Sequence, residues 1–220
     1  MSKLFEGDYS PTVAQAYRVA KLRLGPYEML ASIAGELLTR EAALLEAMAA
    51  VNVANDRVLA QSAQVRFDDL LLDREVIEIA REKRATIAGS KPDQHPSFRV
   101  LFPKAPSAAM SGPPDEAQDQ YVAIVEAGLA LPENAELNTR RGPALAAAKA
   151  RVAASLATAV ELDKALVLAE AKLDQATAAA RLVFNETQLD AASILKDERL
   201  VASLFDFRKA PPKKKAPTPE

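Results

Sequence analysis

The sequence predicts an all-α protein, an elongated antiparallel helical bundle or coiled coil with two very long helices and two short ones. Three observations carry this expectation. Of 220 residues 49% are hydrophobic, yet aromatics are only 5% and Trp is absent, so buried volume per residue is small and suits slender, closely packed helices. The spans from Pro26 to Ala88 and from Pro143 to Phe205 each run for more than sixty residues with no internal Pro and a single glycine, Gly35. Between Leu30 and Ile79 apolar residues recur at steps of seven: Leu30, Leu37, Leu44, Val51, Val58, Val65, Leu72 and Ile79. Such a repeat belongs to a helix that lays one stripe against a neighbour.

The first short helix is expected in "SPTVAQAYRVAKLRLGP", with Ser10 as N-cap, Pro11 at the first helical position, and Gly25 and Pro26 as the stop. The first long helix follows, ~95 Å if unbroken at 1.5 Å per residue. The seam four residues beyond its heptad, Ala34, Glu41, Met48, Asn55, Ser62, Asp69 and Val76, is mixed in polarity, which makes Asn52 to Asp56 the place for a bend. Six prolines between residues 89 and 114 end the helical pattern. Within them "SFRVLFP" alternates Phe98, Val100 and Phe102, the pattern of a short extended segment.

The second short helix is expected in "DEAQDQYVAIVEAGLAL", ended by Pro132, and "NTRRGP" reads as a turn before the second long helix. That helix carries the stripe Leu162, Leu166, Ala169, Leu173, Ala176, Ala180 and Val183, whose small alanines allow close axial approach; its place for a bend is near Asn185. The two long helices are expected to pair, the stripe through Leu30 to Ile79 against the one through Leu145 to Val201.

Short echoes suggest an internal duplication. "AQAYRVA" and "AQDQYVA", then "VRFDDLLLD" and "LVFNETQLD", then Phe-x-Lys-Ala-Pro at Phe102 to Pro106 and at Phe207 to Pro211, fall in the same order. The expected organisation is an N-terminal segment 1–10, a first helical repeat 11–106, a second 107–211 packed into one bundle with it, and a disordered Pro/Lys tail 212–220.

Composition narrows function mainly by exclusion. With no Cys, thiolate catalysis and zinc-thiolate sites are out. His95 is the single histidine; it lies in the Pro-rich stretch, reads as a surface loop residue, and cannot by itself supply a zinc or di-iron site. "DDLLLD", with Asp68, Asp69 and Asp73, has carboxylates suited to Mg2+, but the matching "NETQLD" lacks a second motif, so a solvated acidic face beside Arg66 and Arg74 is expected. "REVIEIAREKR" reads as helix-surface pairing of Glu78 with Arg74 and Arg81. No phosphate-binding loop, nucleophile elbow or metalloprotease helix is present. No catalytic, cofactor-binding or metal residues are therefore expected, and no cofactor or small-molecule substrate.

A net charge of -2 gives no general pull toward nucleic acid or anionic membranes. Neither "MSKLFEGDYSPT" nor any later stretch resembles a signal or membrane span, so the expectation is a cytoplasmic protein, with membrane association unlooked for. The expected function is a non-enzymatic, self-associating helical scaffold or structural subunit, hence a homo-oligomer or a binder of a partner protein. The alternatives are a monomeric helical adaptor or chaperone and a membrane-associating, pore-type helical protein. Candidate contacts to a partner or a second copy are Leu38, Leu45, Leu59 and Leu71, which lie beside the heptad stripe and face either the short helices or a second subunit, and the aromatic residues Phe98, Phe102, Phe205 and Phe207, for which packing inside the subunit is the favoured alternative.

Overall fold

A computed structural model describes Leu4, residues 8–89 and residues 91–207. Among these residues the structure is helical with no strand: α1 (Ser10–Leu24), α2 (Ala31–Ala85), α3 (Pro96–Leu101), α4 (Pro106–Ala109), α5 (Glu116–Leu129), α6 (Ala135–Leu195) and α7 (Glu198–Leu204). The long helices α2 and α6, of 55 and 61 residues, are both continuous and pack against each other. No described helix is long and apolar enough to cross a membrane. The basic tail lies outside the described residues.

Several local expectations need correction. Ser10 does not cap α1: Tyr9 occupies the N-cap without a side-chain bond, and the Ser10 hydroxyl instead meets Thr177 Oγ1 at 2.9 Å. The "NTRRGP" stretch is not a turn but part of α6, which starts at Ala135 and runs through Pro143. Proline removes one helical hydrogen bond, orphaning the Thr139 carbonyl. Both Pro143 and Thr139 are exposed, so water can satisfy it, while buried Leu137 and Leu145 hold the helix down on its other face.

"SFRVLFP" is also helical, not extended. His95 caps α3 by accepting from Ser97 N, and Pro96 opens it. Phe98, Leu101 and Phe102 are buried while Val100 is exposed, the i, i+3, i+4 pattern of a helix and not the alternation of a strand.

The chain forms two compact units, residues 1–55 with 165–220, and residues 56–164. In the first unit α1 and α7 pack on the beginning of α2 and the end of α6. Its centre is aromatic: Phe184 lies 5.6 Å from Tyr17, 5.5 Å from Phe205 and 5.8 Å from Phe207 between ring centroids. Tyr17 donates its hydroxyl to Ala180 O at 2.6 Å, and burial is the main cause that pushes the phenol far above its ordinary range. Arg23 Nη1 donates to the carbonyls of Ser203 and Asp206, both at 2.7 Å, tying α1 to the end of α7. Buried Glu41 is neutralised by Lys21 at 2.9 Å, so this acid in the mixed seam is an internal pair between α1 and α2.

In the second unit α3 and α5 pack on the end of α2 and the beginning of α6, burying Val76, Ile79, Leu101, Val122, Val125, Leu129 and Leu145. A Cβ placed on Gly128 would lie 2.9 Å from Leu101 Cδ2, so glycine is what lets α5 approach α3 this closely. Arg141 on α6 reaches Glu82 at 2.6 Å and Glu75 at 3.5 Å on α2, a set of cross-helix pairs that the local i, i+4 reading of "REVIEIAREKR" missed.

Candidate functional site: exposed apolar residues and a buried carboxylate pair

The heptad residues are buried at Leu30, just before α2, at Leu37 and Leu44 in its early turns, and again at Leu72 and Ile79 near its end. Val51, Val58 and Val65 are only half-buried. The α6 stripe behaves alike: Leu162, Leu166, Ala169, Leu173 and Ala176 are half-buried, and burial is complete only at Ala180. The physical cause is that each short helix covers one end of the long helices, leaving the remaining turns with a single neighbour.

The eight proposed contact residues divide sharply. Leu38, Leu45 and Leu59 are exposed by 52%, 41% and 69%. Leu71 is half-buried, and it is Leu70 that faces outward. Phe98, Phe102, Phe205 and Phe207 are core residues: the first two pack in the second unit, 4.9 Å apart, and the other two against Phe184 in the first. They hold α3 and the α7 end in place and do not form a surface.

Sequence reasoning missed several exposed apolar residues. In the first unit they include Val53 on α2 and Val167, Leu168, Leu182 and Leu189 on α6; in the second, Phe67 on α2 and Leu156 and Val160 on α6. Leu168, Leu182 and Leu189 are spaced by multiples of seven. That second heptad, offset from the buried stripe, was the available signal.

The aspartates of "DDLLLD" are not a solvated face. Asp68 and Asp69 are buried, Asp69 beneath α5. Gln118 Nε2 donates to Asp69 Oδ1 at 2.7 Å and to Asp73 Oδ1 at 3.3 Å, while Gln64 serves Asp68 at 3.1 Å. Burial first, and the Asp69 charge second, push the Asp73 carboxyl up to about 6. Among the described residues no group of His, Cys, Asp or Glu is arranged to hold a metal ion.

Because its folded pKa lies above the ordinary 3.8, Asp73 favours the fold when protonated. The fold therefore loses stability as pH rises from about 4 through about 6. Asp73→Asn is expected to gain about 1 kcal/mol at pH 7.5, after allowance for the partial solvent screening of this half-buried group, and to gain almost nothing at pH 4. Thermal melts at the two pH values check this, and an equal gain at both would remove the carboxylate explanation.

A cavity of about 410 Å³ in the second unit has an apolar floor of Leu72, Val152 and Leu156 and a rim containing Asp115, Glu116, Asp119 and Lys149. Asp115 is committed as the N-cap of α5, accepting from Gln118 N, and Lys149 pairs with Glu126 at 2.9 Å. His95 is committed as the cap of α3. No family model, curated protein or solved structure matches this chain.

Proposed function

We propose that the protein is a non-enzymatic, self-associating helical scaffold. The observation that carries this reading is the bare middle of each long helix. From residue 45 to 67 of α2 and from 156 to 176 of α6 no residue is buried. In the same turns Leu45, Val53, Val167 and Leu168 of the first unit, and Leu59, Phe67, Leu156 and Val160 of the second, are all 38–69% exposed.

Helices with apolar residues outside their own seam gain from further helical neighbours. The occupant favoured is a second copy of this chain. In the second unit exposed charges of both signs accompany the apolar residues, Asp56, Arg57 and Arg66 on α2 and Arg151, Glu161 and Lys164 on α6, so the surface of this unit can oppose itself without a net like-charge penalty.

Light scattering coupled to size-exclusion chromatography tests the proposal. The expected mass is a multiple of 23.6 kDa, and Leu59→Glu, at a side chain already in water, is expected to reduce it while leaving the helical signal and melting temperature nearly unchanged. A chain that runs as a monomer at every concentration would sink the proposal. In that case the acid-rimmed cavity favours the second reading, a monomeric adaptor that takes a basic, amphipathic partner segment.

A further inference from the structure

Three cations that are scattered in the sequence meet at one cavity of about 260 Å³ in the second unit. Arg84 comes from the last turn of α2, Arg99 from α3, and Lys104 from the segment between α3 and α4. Among the described lining residues Asp93 supplies the one carboxylate. Three positive groups thus share a cavity with a single negative one, in a chain whose net charge is -2. Like charges gathered in this way repel one another, and an anion placed among them turns the repulsion into attraction.

The cations differ in how far they are committed. Arg84 Nε donates to Asp93 Oδ1 at 2.5 Å, and its guanidinium carbon lies 5.0 Å from the centre of the Phe98 ring. That arrangement fixes where this charge stands and uses up the carboxylate. Arg99 and Lys104 are exposed, and among the described residues their side chains have no ion-pair or hydrogen-bond partner.

The wall that carries these two residues is rigid. His95 caps α3 and Pro96 opens it, while Phe98 and Phe102, 4.9 Å apart between ring centroids, anchor it in the core. Beyond α3, Pro103 and Pro106 restrict the backbone on either side of Lys104, and the Lys104 carbonyl accepts the Tyr121 hydroxyl of α5 at 2.9 Å. Only side-chain rotamers remain to be ordered when a ligand arrives, which keeps the entropic cost of binding small.

We propose that this cavity binds the phosphoryl group of a small soluble molecule. With Asp93 engaged by Arg84, two positive charges are left over. A phosphate monoester carries about -1.5 to -2 at neutral pH and balances them, whereas a single carboxylate leaves one in excess. The guanidinium of Arg99 offers paired planar donors that match phosphate oxygens, and Lys104 adds a point charge. The volume falls below the roughly 300–1,000 Å³ of drug-sized pockets, so a phosphate or diphosphate with little attached to it is what fits. The sequence does not announce such a site, because its three cations belong to three elements and form no phosphate-binding loop. The site is independent of self-association, since it uses none of the exposed apolar residues of the long helices.

Titration calorimetry of the full chain at low ionic strength, with pyrophosphate and with inorganic phosphate, tests the proposal. One saturable site is expected. Arg99→Gln and Lys104→Gln are each expected to weaken it about tenfold, the effect of losing one charge-assisted hydrogen bond. Both side chains already stand in water, so the helical signal and melting temperature should not move. Lys164→Gln changes an exposed lysine of the same unit that does not line the cavity, and is expected to leave binding as it is. Undiminished binding in either the Arg99 or the Lys104 variant overturns the proposal, as does the absence of saturable binding of both anions up to millimolar concentration. An equal loss in the Lys164 variant also overturns it, because the anion would then be held by diffuse surface charge and not by this cavity.

Discussion

Phe184→Ala is expected to lower the stability of the fold by about 4 kcal/mol, whereas Phe67→Ala is expected to change it by no more than about 0.5 kcal/mol. Both phenylalanines sit on long helices, and in the sequence their surroundings look alike. Phe184 is fully buried and lies within 6 Å of the rings of Tyr17, Phe205 and Phe207. Its removal takes away the common partner of three elements: α1, through Tyr17, the turn after α7, through Phe205, and the segment ending at Phe207. The cavity left among rings held by Tyr17 Oη to Ala180 O and by the Arg23 bonds cannot easily collapse. Phe67 is more than half exposed, so its truncation removes little buried surface. Urea unfolding of both variants separates them, and equal losses would show that Phe184 is not the centre of this core.

The contrast shows which parts of the fold were legible. The all-α class and the great length of α2 and α6 follow from helix-forming composition, long runs nearly free of Gly and Pro, and the heptad from Leu30 to Ile79, whereas the bends looked for at Asn52 to Asp56 and near Asn185 interrupt neither helix. What could not be read locally was which turns of a long helix another element would cover. A heptad residue such as Val58 has the same local pattern as Leu72, yet only Leu72 lies beneath a short helix. For the same reason the aspartates of "DDLLLD" looked solvated: nothing near them in sequence announces that Gln118, 49 residues on, closes over Asp69. The Phe98 to Phe102 stretch was misread because two periods fit three phenylalanine and valine positions, and burial of Leu101 decides for the helix.

The candidate surface was half legible. Leu38, Leu45 and Leu59 were found because they flank a strong heptad, and exposed residues of α6 were overlooked because alanine dilutes its pattern. The four phenylalanines are candidate contacts only on the general importance of aromatics at interfaces, and they take the alternative, packing inside the subunit. In a chain with so few aromatic residues the core takes seven of the ten described ones.

Asn134→Ala is the second variant with a large expected effect, about 3 kcal/mol of lost stability. Lys83 is buried at 7% exposure near the end of α2, and its ammonium donates to Asn134 Oδ1 at 2.6 Å. The Asn134 amide in turn donates to the Gly128 carbonyl at 2.8 Å, near the close of α5. One side chain thus satisfies a buried cation on one helix and a buried carbonyl on another. Taking it away strands both groups where water reaches poorly, and a stranded ammonium is the costlier of the two. It follows that Lys83→Met added to Asn134→Ala should recover most of the loss, because the unpaired charge is then gone and an apolar chain of similar length fills its place. If the double variant is no more stable than Asn134→Ala alone, the cost lies in the Gly128 carbonyl or in repacking of α5, and Lys83 is not the group that Asn134 is there to satisfy.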